Sequence, residues 1–468
     1  MIKTVFKNKK IKNGGLYLFG NLFNKAIAFI TVPIFTRMLS TSEYGIVSTY
    51  SSYVSILAVV VGLSLGSSIR NAYVDYKENL NEYISSVFSL SFINFFILLL
   101  IAIGINVKLN FVSTPLLIMC FLESFGSFIV NSIVIKYMME EESFKRTILL
   151  VVPNACAALL SIVFILNMNA NKEYGRIIPM FLVTVAFGGI IFAFSLIKGK
   201  TFFNKNYWKY ALGISLPLVF HGLSVNILSV SDRMIITSMR SASETGIYSV
   251  VYNLGMISTV ITSSFESVWI PYFTKKMLSN SKKEINQSAK LYIEMCTVIF
   301  CGLLVFAPEV LIVFASEKYR SGMTVIAPVV LASYFQYMYS LAVNAEYYYK
   351  STKIIATNTI IAAMLNLILN FIFIPYGGAL AAAYTTVIAY ACSFLLHYRY
   401  CRKLDQNLFP FSTFCIPLIV IVVFTVFQYL SLNNMVIRWC GGIVMILGYS
   451  SYILIKEKEL IRDIIRKE

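Results

Sequence analysis

The chain has 468 residues, of which 58% are hydrophobic and only 13% are charged. Soluble proteins contain about 45 to 50% apolar and about 25% charged residues, so this composition excludes an ordinary soluble domain. A formal charge of +17 would suggest a nucleic-acid partner in a soluble protein, but here the basic residues concentrate in loops and tails between apolar stretches. The sequence therefore predicts a membrane protein with no nucleic-acid partner.

Long uncharged stretches indicate how the chain crosses the membrane. Fully charged residues are absent between Glu43 and Arg70 and between Lys353 and Arg399. Each stretch can hold at least one helix of about 20 residues. The stretches are apolar on every face, whereas the strands of a β-barrel alternate apolar and polar positions. We therefore predict an all-α polytopic membrane protein.

About fourteen transmembrane helices are predicted from hydropathy and helix-breaking residues. The first follows a basic segment, Met1–Lys12, without an A-x-A-like cleavage site, so we expect this span to be retained. Lys and Arg concentrate in alternate loops, which predicts that both termini are cytoplasmic. The predicted spans are 15–36, 45–67, 84–106, 112–135, 147–168, 177–197, 210–234, 247–270, 290–313, 323–345, 354–374, 378–398, 411–432 and 437–455.

The two halves of the chain repeat one another. The segment 43–48 (EYGIVS) after span 1 recurs as 244–249 (ETGIYS) after span 7. The polar stripe of span 4 has a counterpart in span 10, and the two stripes are Glu123, Ser127 and Asn131, and Gln336, Ser340 and Asn344. Six spans separate the copies, so both copies have the same orientation. This pattern predicts two pseudo-symmetric six-helix lobes with a substrate cavity between them.

The predicted domain organisation follows from this repeat. We expect an N-terminal lobe over 1–200 with spans 1 to 6 and a C-terminal lobe over 201–400 with spans 7 to 12. Spans 13 and 14 occupy 401–455. The remaining segment, 456–468, places apolar residues at helical spacing among charges and is predicted to be a cytoplasmic amphipathic tail.

Placing an ionisable residue at membrane depth costs free energy, so each such residue is a candidate for function. Lys25 lies in the middle of span 1, one turn after Asn21, on a polar stripe. An ion pair or snorkelling is the alternative explanation for this lysine. Glu123 lies deep in span 4, where it could line the cavity or only form interhelical hydrogen bonds.

A second group of polar residues lies in spans 7, 11 and 12. Asp232 and Arg233 end span 7, where each is expected to face its own partner, and a structural network is the alternative. Asn366 and Asn370 in span 11 and Thr386 in span 12 supply neutral oxygens. Together with the Asp232 carboxylate they suit a monovalent cation, although asparagines also pack helices.

The sequence contains little that supports an enzyme. His221 and His397 belong to no metal-binding pattern, and the eight cysteines lack metal-ligand spacing. No nucleophile or phosphate-binding glycine motif is present, and the predicted outer loops are too short for a catalytic loop. We therefore predict a protein that is not an enzyme and has no metal site beyond the cation site.

Three segments of the chain carry a family resemblance. They are 37–45 (RMLSTSEYG) after span 1, 231–249 (SDRMIITSMRSASETGIYS) across span 7, and 366–386, which has PYGGALAAA at its turn. These segments resemble the polysaccharide flippases of the multidrug/oligosaccharidyl-lipid/polysaccharide (MOP) exporter superfamily. The resemblance covers nearly the whole chain and implies two six-helix lobes around a central cavity, often followed by two extra helices.

The resemblance also implies a function. Such a protein moves an undecaprenyl-pyrophosphate-linked repeat unit across the bacterial plasma membrane by alternating access, for O-antigen, capsule or a related glycan. Cationic cavity residues are implicated in this family, and the matching positions are Lys25 and, at the rim, Arg37, Arg70 and Arg233. Membrane lipids, a polysaccharide polymerase and chain-length machinery are the implied partners.

A coupling ion is implied by the same resemblance. Related lipid II flippases bind sodium between helices that correspond to spans 7, 11 and 12, so Asp232, Asn366, Asn370 and Thr386 are the candidates for coupling to Na⁺ or H⁺. Asn370 stands where those relatives can have an acid, which leaves fewer charges for a cation. The alternatives are a lipid II flippase, a cation-coupled drug exporter, and a membrane glycan polymerase or ligase.

Overall fold

The computed structural model describes residues 9–110 and 112–458, and of residues 9–19, 21, 22 and 256 it describes the backbone alone. Within this part of the chain every regular element is a helix, which confirms the predicted all-α fold. The chain forms two compact units, Met1–Thr237 and Ser238–Glu468. The division into two six-helix lobes and two further helices stays a prediction, and residues 459–468 of the predicted tail lie outside the described residues.

Eight α-helices begin in the described part of the first unit. They are α1 Lys9–Met38, α2 Thr41–Val61, α3 Ile69–Asp75, α4 Leu80–Leu109, α5 Thr114–Met139, α6 Ser143–Leu166, α7 Lys172–Gly199 and α8 Lys205–Met239. A short 3-10 helix, Leu65–Ser68, joins α2 to α3.

Aromatic side chains form much of the contact between α4 and α5. The rings of Phe88 and Phe128 meet edge to face with centroids 6.0 Å apart, and those of Phe95 and Phe125 lie 5.1 Å apart. Such pairs add to the stabilisation that burial of the rings already gives. On another face of α4, Leu100 is 60% exposed, which suits a helix that borders lipid rather than water.

Seven α-helices follow in the described part of the second unit. They are α9 Ala242–Leu254, α10 Met256–Leu278, α11 Lys282–Phe314, α12 Met323–Tyr348, α13 Thr352–Leu404, α14 Ser412–Leu430 and α15 Met435–Lys456. Helices α12 and α13 pack along each other, and both α14 and α15 pack against α11.

A buried arginine fixes the turn between α14 and α15. Arg438 is only 2% exposed, and its guanidinium donates to the carbonyls of Ser431 and Leu432 at 3.1 and 2.6 Å. It also pairs with the Glu309 carboxylate on α11. A buried charge requires this full set of partners, so the last two helices are tied firmly to α11.

The helices agree approximately with the fourteen predicted spans. Eleven helices in the described residues are long and apolar enough to cross a membrane. One of them, α13, contains both predicted spans 11 and 12, and predicted span 1 falls on α1. Predicted span 8 was wrong as a single helix, because α9 and α10 meet at Gly255. Gly255 itself has right-handed helical dihedrals, φ −60° and ψ −16°, so the interruption is local.

The sequence repeat corresponds to two equivalent helix caps. At the start of α2, Ser40 Oγ accepts from the Glu43 N–H at 3.2 Å, while the Glu43 carboxylate accepts from the Ser40 N–H at 2.6 Å. At the start of α9, Ser241 Oγ accepts from the Glu244 N–H, also at 3.2 Å. These bonds satisfy backbone donors that the first turn of a helix leaves unpaired.

Each capping glutamate also accepts a hydrogen bond from a second helix. Glu43 Oε1 accepts from the backbone N–H of Lys172, the first residue of α7, at 3.3 Å. Glu244 Oε1 accepts from the N–H of Ala379 in α13 at 2.8 Å. The repeated glutamates therefore have one role in common, which is that each carboxylate accepts a backbone N–H from a helix distant in sequence.

A glycine divides α13 at the place where the second capping glutamate binds. Gly378 has φ 53° and ψ −137°, outside the helical region, so α13 consists of two helices joined by a kink. A β-carbon at Gly378 would lie 1.7 Å from Glu244 Oε1. Arg240 completes the junction by donating to the Glu244 carboxylate at 3.1 Å and to the Pro375 carbonyl at 3.3 Å.

We expect Gly378→Ala to destabilise the protein, because a side chain there needs a strained backbone and displaces Glu244 from its cap. The backbone strain alone costs about 1 to 3 kcal/mol. Gly448→Ala is the matched control, since a β-carbon on this exposed glycine of α15 meets nothing within 4 Å. Thermal unfolding of the two purified variants in detergent measures the difference, and equal melting temperatures would contradict the role given to Gly378.

Candidate substrate and coupling sites

The predicted substrate contact Lys25 lies half-buried on α1. Helix α1 packs against α6, where Asn154 Nδ2 donates to Asn24 Oδ1 at 2.9 Å. Neighbouring residues of a helix point about 100° apart, so Lys25 is turned away from this contact. The side chain of Asn21, the other predicted contact on α1, lies outside the described residues.

The predicted rim cations are spread over three helices of the first unit. Arg37 is exposed at the end of α1 and donates to the Pro33 carbonyl at 2.7 Å. Arg70 is exposed on α3, and Arg233 is half-buried on α8. Lys25 and Arg37 lie on the same helix but are separated by about 18 Å along its axis. A ligand that touched both would have to extend along α1.

Glu123 lies inside the first unit. It is 4% exposed, and its Oε2 accepts from the Tyr50 hydroxyl of α2 at 2.7 Å. By contrast, Asn131 of the same predicted stripe is exposed. Residues eight apart on a helix point about 80° apart, so a stripe at this spacing turns gradually from the interior to the surface. The position of Glu123 fits the alternative explanation, an interhelical hydrogen bond.

Sequence reasoning missed the arginine that accompanies this carboxylate. Arg176 falls between predicted spans 5 and 6, but it lies in α7, and Nη1 donates to Ser161 Oγ on α6 at 3.0 Å. Its guanidinium also stacks 4.3 Å from the centre of the Phe35 ring on α1, and its charge attracts the Glu123 carboxylate. Arg176 therefore links three neighbouring helices to the buried acid.

The predicted cation site is partly assembled within the second unit. Asn366 Nδ2 donates to Thr386 Oγ1 at 3.4 Å, and Asn370 Nδ2 donates to Asn366 Oδ1 at 3.2 Å. Thr385 donates its hydroxyl to Asn370 Oδ1. These four side chains are at most 2% exposed. The amide oxygens of Asn366 and Asn370, which would face a cation, already accept hydrogen bonds. Asp232, which is 1% exposed, belongs to the first unit.

A buried acid and imidazole form a second cluster that the sequence did not reveal. His397 Nδ1 on α13 lies 2.8 Å from Glu346 Oε2 on α12, and both side chains are fully buried. Tyr339 stacks on the imidazole with ring centres 5.6 Å apart. In the described part of the chain, His397 Nε2 and Glu346 Oε1 have no hydrogen-bond partner. The pair therefore joins α12 to α13 through a buried polar contact.

A double-mutant cycle separates a structural from a substrate-binding role for Glu123. Tyr50→Phe removes the hydroxyl and leaves a buried carboxylate unsatisfied, at a cost of about 1 to 3 kcal/mol. We expect Tyr50→Phe and Glu123→Gln to lower the melting temperature non-additively, with a coupling of about 0.5 to 3 kcal/mol. Transport should follow the amount of folded protein. Lost transport at normal stability in Glu123→Gln would show instead that Glu123 contacts substrate.

Comparison with known proteins identifies the family. The family described as polysaccharide biosynthesis protein matches residues 11–277, more than half of the chain. Protein 1 of the Lsg locus of Haemophilus influenzae is 24% identical, with 82% of this chain and 97% of that protein covered. A relative from Haloferax volcanii, named a probable low-salt glycan biosynthesis flippase, is 23% identical, with 84% and 83% covered.

Solved structures share the fold. The lipid II flippase MurJ in an inward closed conformation superposes with a TM-score of 0.68 at 16% identity, covering 95% of this chain and 99% of that one. An inward-facing multidrug resistance MATE family transporter of the MOP superfamily gives 0.63 at 14% identity, covering 82% and 96%. The chain is a multi-pass membrane protein with the fold of these transporters, and it belongs to the polysaccharide biosynthesis protein family.

Proposed function

We propose that this protein is a flippase that carries a lipid-linked glycan across the membrane by alternating access. The family match over residues 11–277 carries this proposal. It is supported by the relative named a glycan biosynthesis flippase and by the fold shared with the lipid II flippase. A transporter also agrees with the composition, because 58% of the residues are hydrophobic and only 13% are charged.

The finer proposal concerns the substrate and the membrane. We take the substrate to be an undecaprenyl-pyrophosphate-linked oligosaccharide repeat unit for O-antigen, capsule or a related glycan, in a bacterial plasma membrane. The basic residues in alternate loops favour cytoplasmic termini. Membrane lipids surround the protein, and a polymerase and chain-length machinery would receive the product.

We propose that Lys25 binds the pyrophosphate of the substrate. A lysine that is half-buried at membrane depth has lost part of its hydration, and a bound pyrophosphate would restore a charged partner. Arg37, Arg70 and Arg233 would meet the anion as it enters or leaves, since two of them are exposed and the third is half-buried. Glu123 would act indirectly by holding α2 to α5 through Tyr50.

A lipid II flippase is the second candidate. The MurJ fold covers 95% of this chain, which favours a substrate of the same chemical design, a polyprenyl pyrophosphate bearing sugars. The two candidates share the lipid carrier and differ in the sugars. The experiment must therefore identify the glycan as well as its membrane side.

A deletion strain tests the function directly. We expect surface glycan to be lost and complete lipid-linked repeat units to accumulate on the inner face, where glycan-cleaving enzymes added to spheroplasts cannot reach them. Mass spectrometry of the accumulated lipid identifies the sugars and separates the two candidates. Repeat units that reach the outer face but stay unpolymerised would show that the protein is a polymerase or ligase instead.

We expect Lys25→Ala to abolish surface glycan in the deletion strain while the protein remains at its normal level, because the pyrophosphate loses its buried cation. Lys108→Ala is the matched control, since Lys108 is exposed at the end of α4. Immunoblotting of membranes gives the protein level, and glycan staining gives the activity. Unchanged glycan with Lys25→Ala would remove this lysine from the mechanism.

We further propose that transport is coupled to a cation, and we favour H⁺ at His397 and Glu346. The pair is fully buried and each partner keeps one unsatisfied polar atom, so a change in protonation would alter the local charge between α12 and α13. Na⁺ at Asp232, Asn366, Asn370 and Thr386 is the alternative. It is less favoured because a cation would have to displace existing hydrogen bonds among the asparagines.

Two conservative variants distinguish the ions. Glu346→Gln keeps the shape but cannot exchange a proton, whereas Thr386→Val keeps the shape but removes an oxygen. We expect Glu346→Gln alone to abolish the dependence of transport on a pH gradient in vesicles, with folding checked by melting temperature. If Thr386→Val instead abolishes a dependence of transport on a sodium gradient, Na⁺ is the coupling ion. Transport by the unaltered protein that depends on neither the pH gradient nor the sodium gradient would contradict coupling.

A further inference from the structure

A cavity lies at one end of the helices of the first unit, apart from the residues proposed for transport. Its volume is about 420 Å³, and it is bounded by α4, α5, α6 and α7. Lys136 on α5, Lys145 on α6 and Lys198 on α7 line it, and we call it the lysine cavity. Glu140 is the acidic residue that shares the lining.

The three lysines of this cavity repel one another. Lys136 retains only 11% of its side-chain exposure and lies 3.7 Å from the Glu140 carboxylate. It also donates to Asn81 Oδ1 at 2.8 Å. The positive charges of Lys198 and Lys145 act unfavourably on Lys136. Lys145 lies 3.5 Å from the Glu142 carboxylate, so two carboxylates accompany three ammonium groups and one positive charge is in excess. A bound anion would relieve this repulsion.

The helix backbones hold these groups together. A β-carbon at Gly199 would lie 2.2 Å from the Asn81 carbonyl oxygen, so the end of α7 rests directly on α4. This contact brings Lys198, the residue before Gly199, to the same wall as Asn81, the hydrogen-bond partner of Lys136. The packing of α4 against α7 therefore keeps Lys136 and Lys198 at the same cavity.

One wall of the lysine cavity is apolar and faces outward. Ile190 and Phe194 of α7 line the cavity, yet they are 69% and 62% exposed. Because α7 is long and apolar enough to cross a membrane, this wall opens toward hydrocarbon. A fully polar anion such as inorganic phosphate would leave the apolar wall without a partner. A ligand with a charged head and a hydrocarbon chain would use both parts of the lining.

We propose that the lysine cavity binds a phosphate-bearing membrane lipid, with its phosphate among Lys136, Lys145 and Lys198 and its chain along Ile190 and Phe194. The phosphate supplies the missing negative charge, and the chain covers apolar surface that would otherwise face the cavity. This site does not depend on the proposed flippase function, because it concerns a lipid held by the first unit.

Retention of lysines on the cytoplasmic side is the simpler explanation for three basic residues at helix ends. Topology requires only that the lysines lie in the correct loops, and any position in those loops would serve. It does not require three ammonium groups from three helices to line one cavity beside an apolar wall. The two explanations therefore differ in whether the lysines bind lipid selectively.

The test uses the full-length protein, delipidated in detergent and titrated with one lipid at a time while bound lipid is counted by native mass spectrometry. The double variant Lys145→Gln/Lys198→Gln leaves Lys136 its partners Asn81 and Glu140. We expect it to bind phosphatidylglycerol or undecaprenyl phosphate at least about tenfold more weakly than the unaltered protein. Lys108→Gln/Lys353→Gln, which removes two exposed lysines elsewhere, should bind as the unaltered protein does.

The choice of probes identifies the source of the phosphate. Preference for phosphatidylglycerol would indicate a structural membrane lipid, and preference for undecaprenyl phosphate would indicate the carrier. Ile190→Ser/Phe194→Ser should weaken both lipids and leave any binding of inorganic phosphate unchanged. Melting temperatures measured without lipid confirm that each variant is folded. Equal binding by all variants, binding of phosphatidylcholine as tight as that of both anionic lipids, or inorganic phosphate as the best ligand would overturn the proposal.

Discussion

A glutamate carboxylate that accepts a backbone N–H from a helix distant in sequence is the interaction that the two units share. The first turn of a helix carries unpaired N–H groups and a partial positive charge, so a carboxylate is stabilising there. The Glu43 carboxylate accepts from the N–H groups of Ser40 before α2 and Lys172 in α7, and the Glu244 carboxylate accepts from the N–H of Ala379 in the second half of α13. In both cases the glutamate joins helices that are far apart in sequence. The kink requires glycine at position 378, because the carboxylate occupies the space where any other residue would place a side chain.

The fold could be predicted from the sequence because its helices are long uncharged runs and its repeat contains the capping residues themselves. Prediction failed at Gly255, where one helix ends and the next begins within a single apolar run. It also failed for Arg176, which lies one turn inside α7 rather than in the loop before it. A hydropathy window cannot detect an arginine that is held by neighbouring helices.

The sites were predictable only where the sequence spacing determines proximity. Asn366 and Asn370 lie one turn apart, and the short connection to the second half of α13 returns Thr386 to them. The partners of Glu123 and His397 could not be found this way, because Tyr50 and Glu346 come from other helices. The rotation of α5 along its length also separated Glu123 from Asn131, which a spacing rule had placed on one face.

Polar residues at membrane depth divide into two groups in this protein. The Glu123 network and the asparagine cluster are satisfied by their own hydrogen bonds, which is the pattern of groups that hold helices together. Lys25 is half-buried on α1, and the His397–Glu346 pair, at the ends of predicted spans 12 and 10, keeps two polar atoms without a hydrogen-bond partner among the described residues. This division is the basis on which we propose a structural role for the first group and a transport role for the second.

The most direct test of the transport assignment is translocation in proteoliposomes that contain the purified protein and a labelled lipid-linked oligosaccharide in the outer leaflet. Protection of the label from a membrane-impermeant reagent reports its movement to the inner leaflet. The account predicts movement of the oligosaccharide lipid above the rate in protein-free vesicles, with no accelerated movement of phosphatidylcholine. Equal movement of both lipids, or no movement above that of protein-free vesicles, would contradict it.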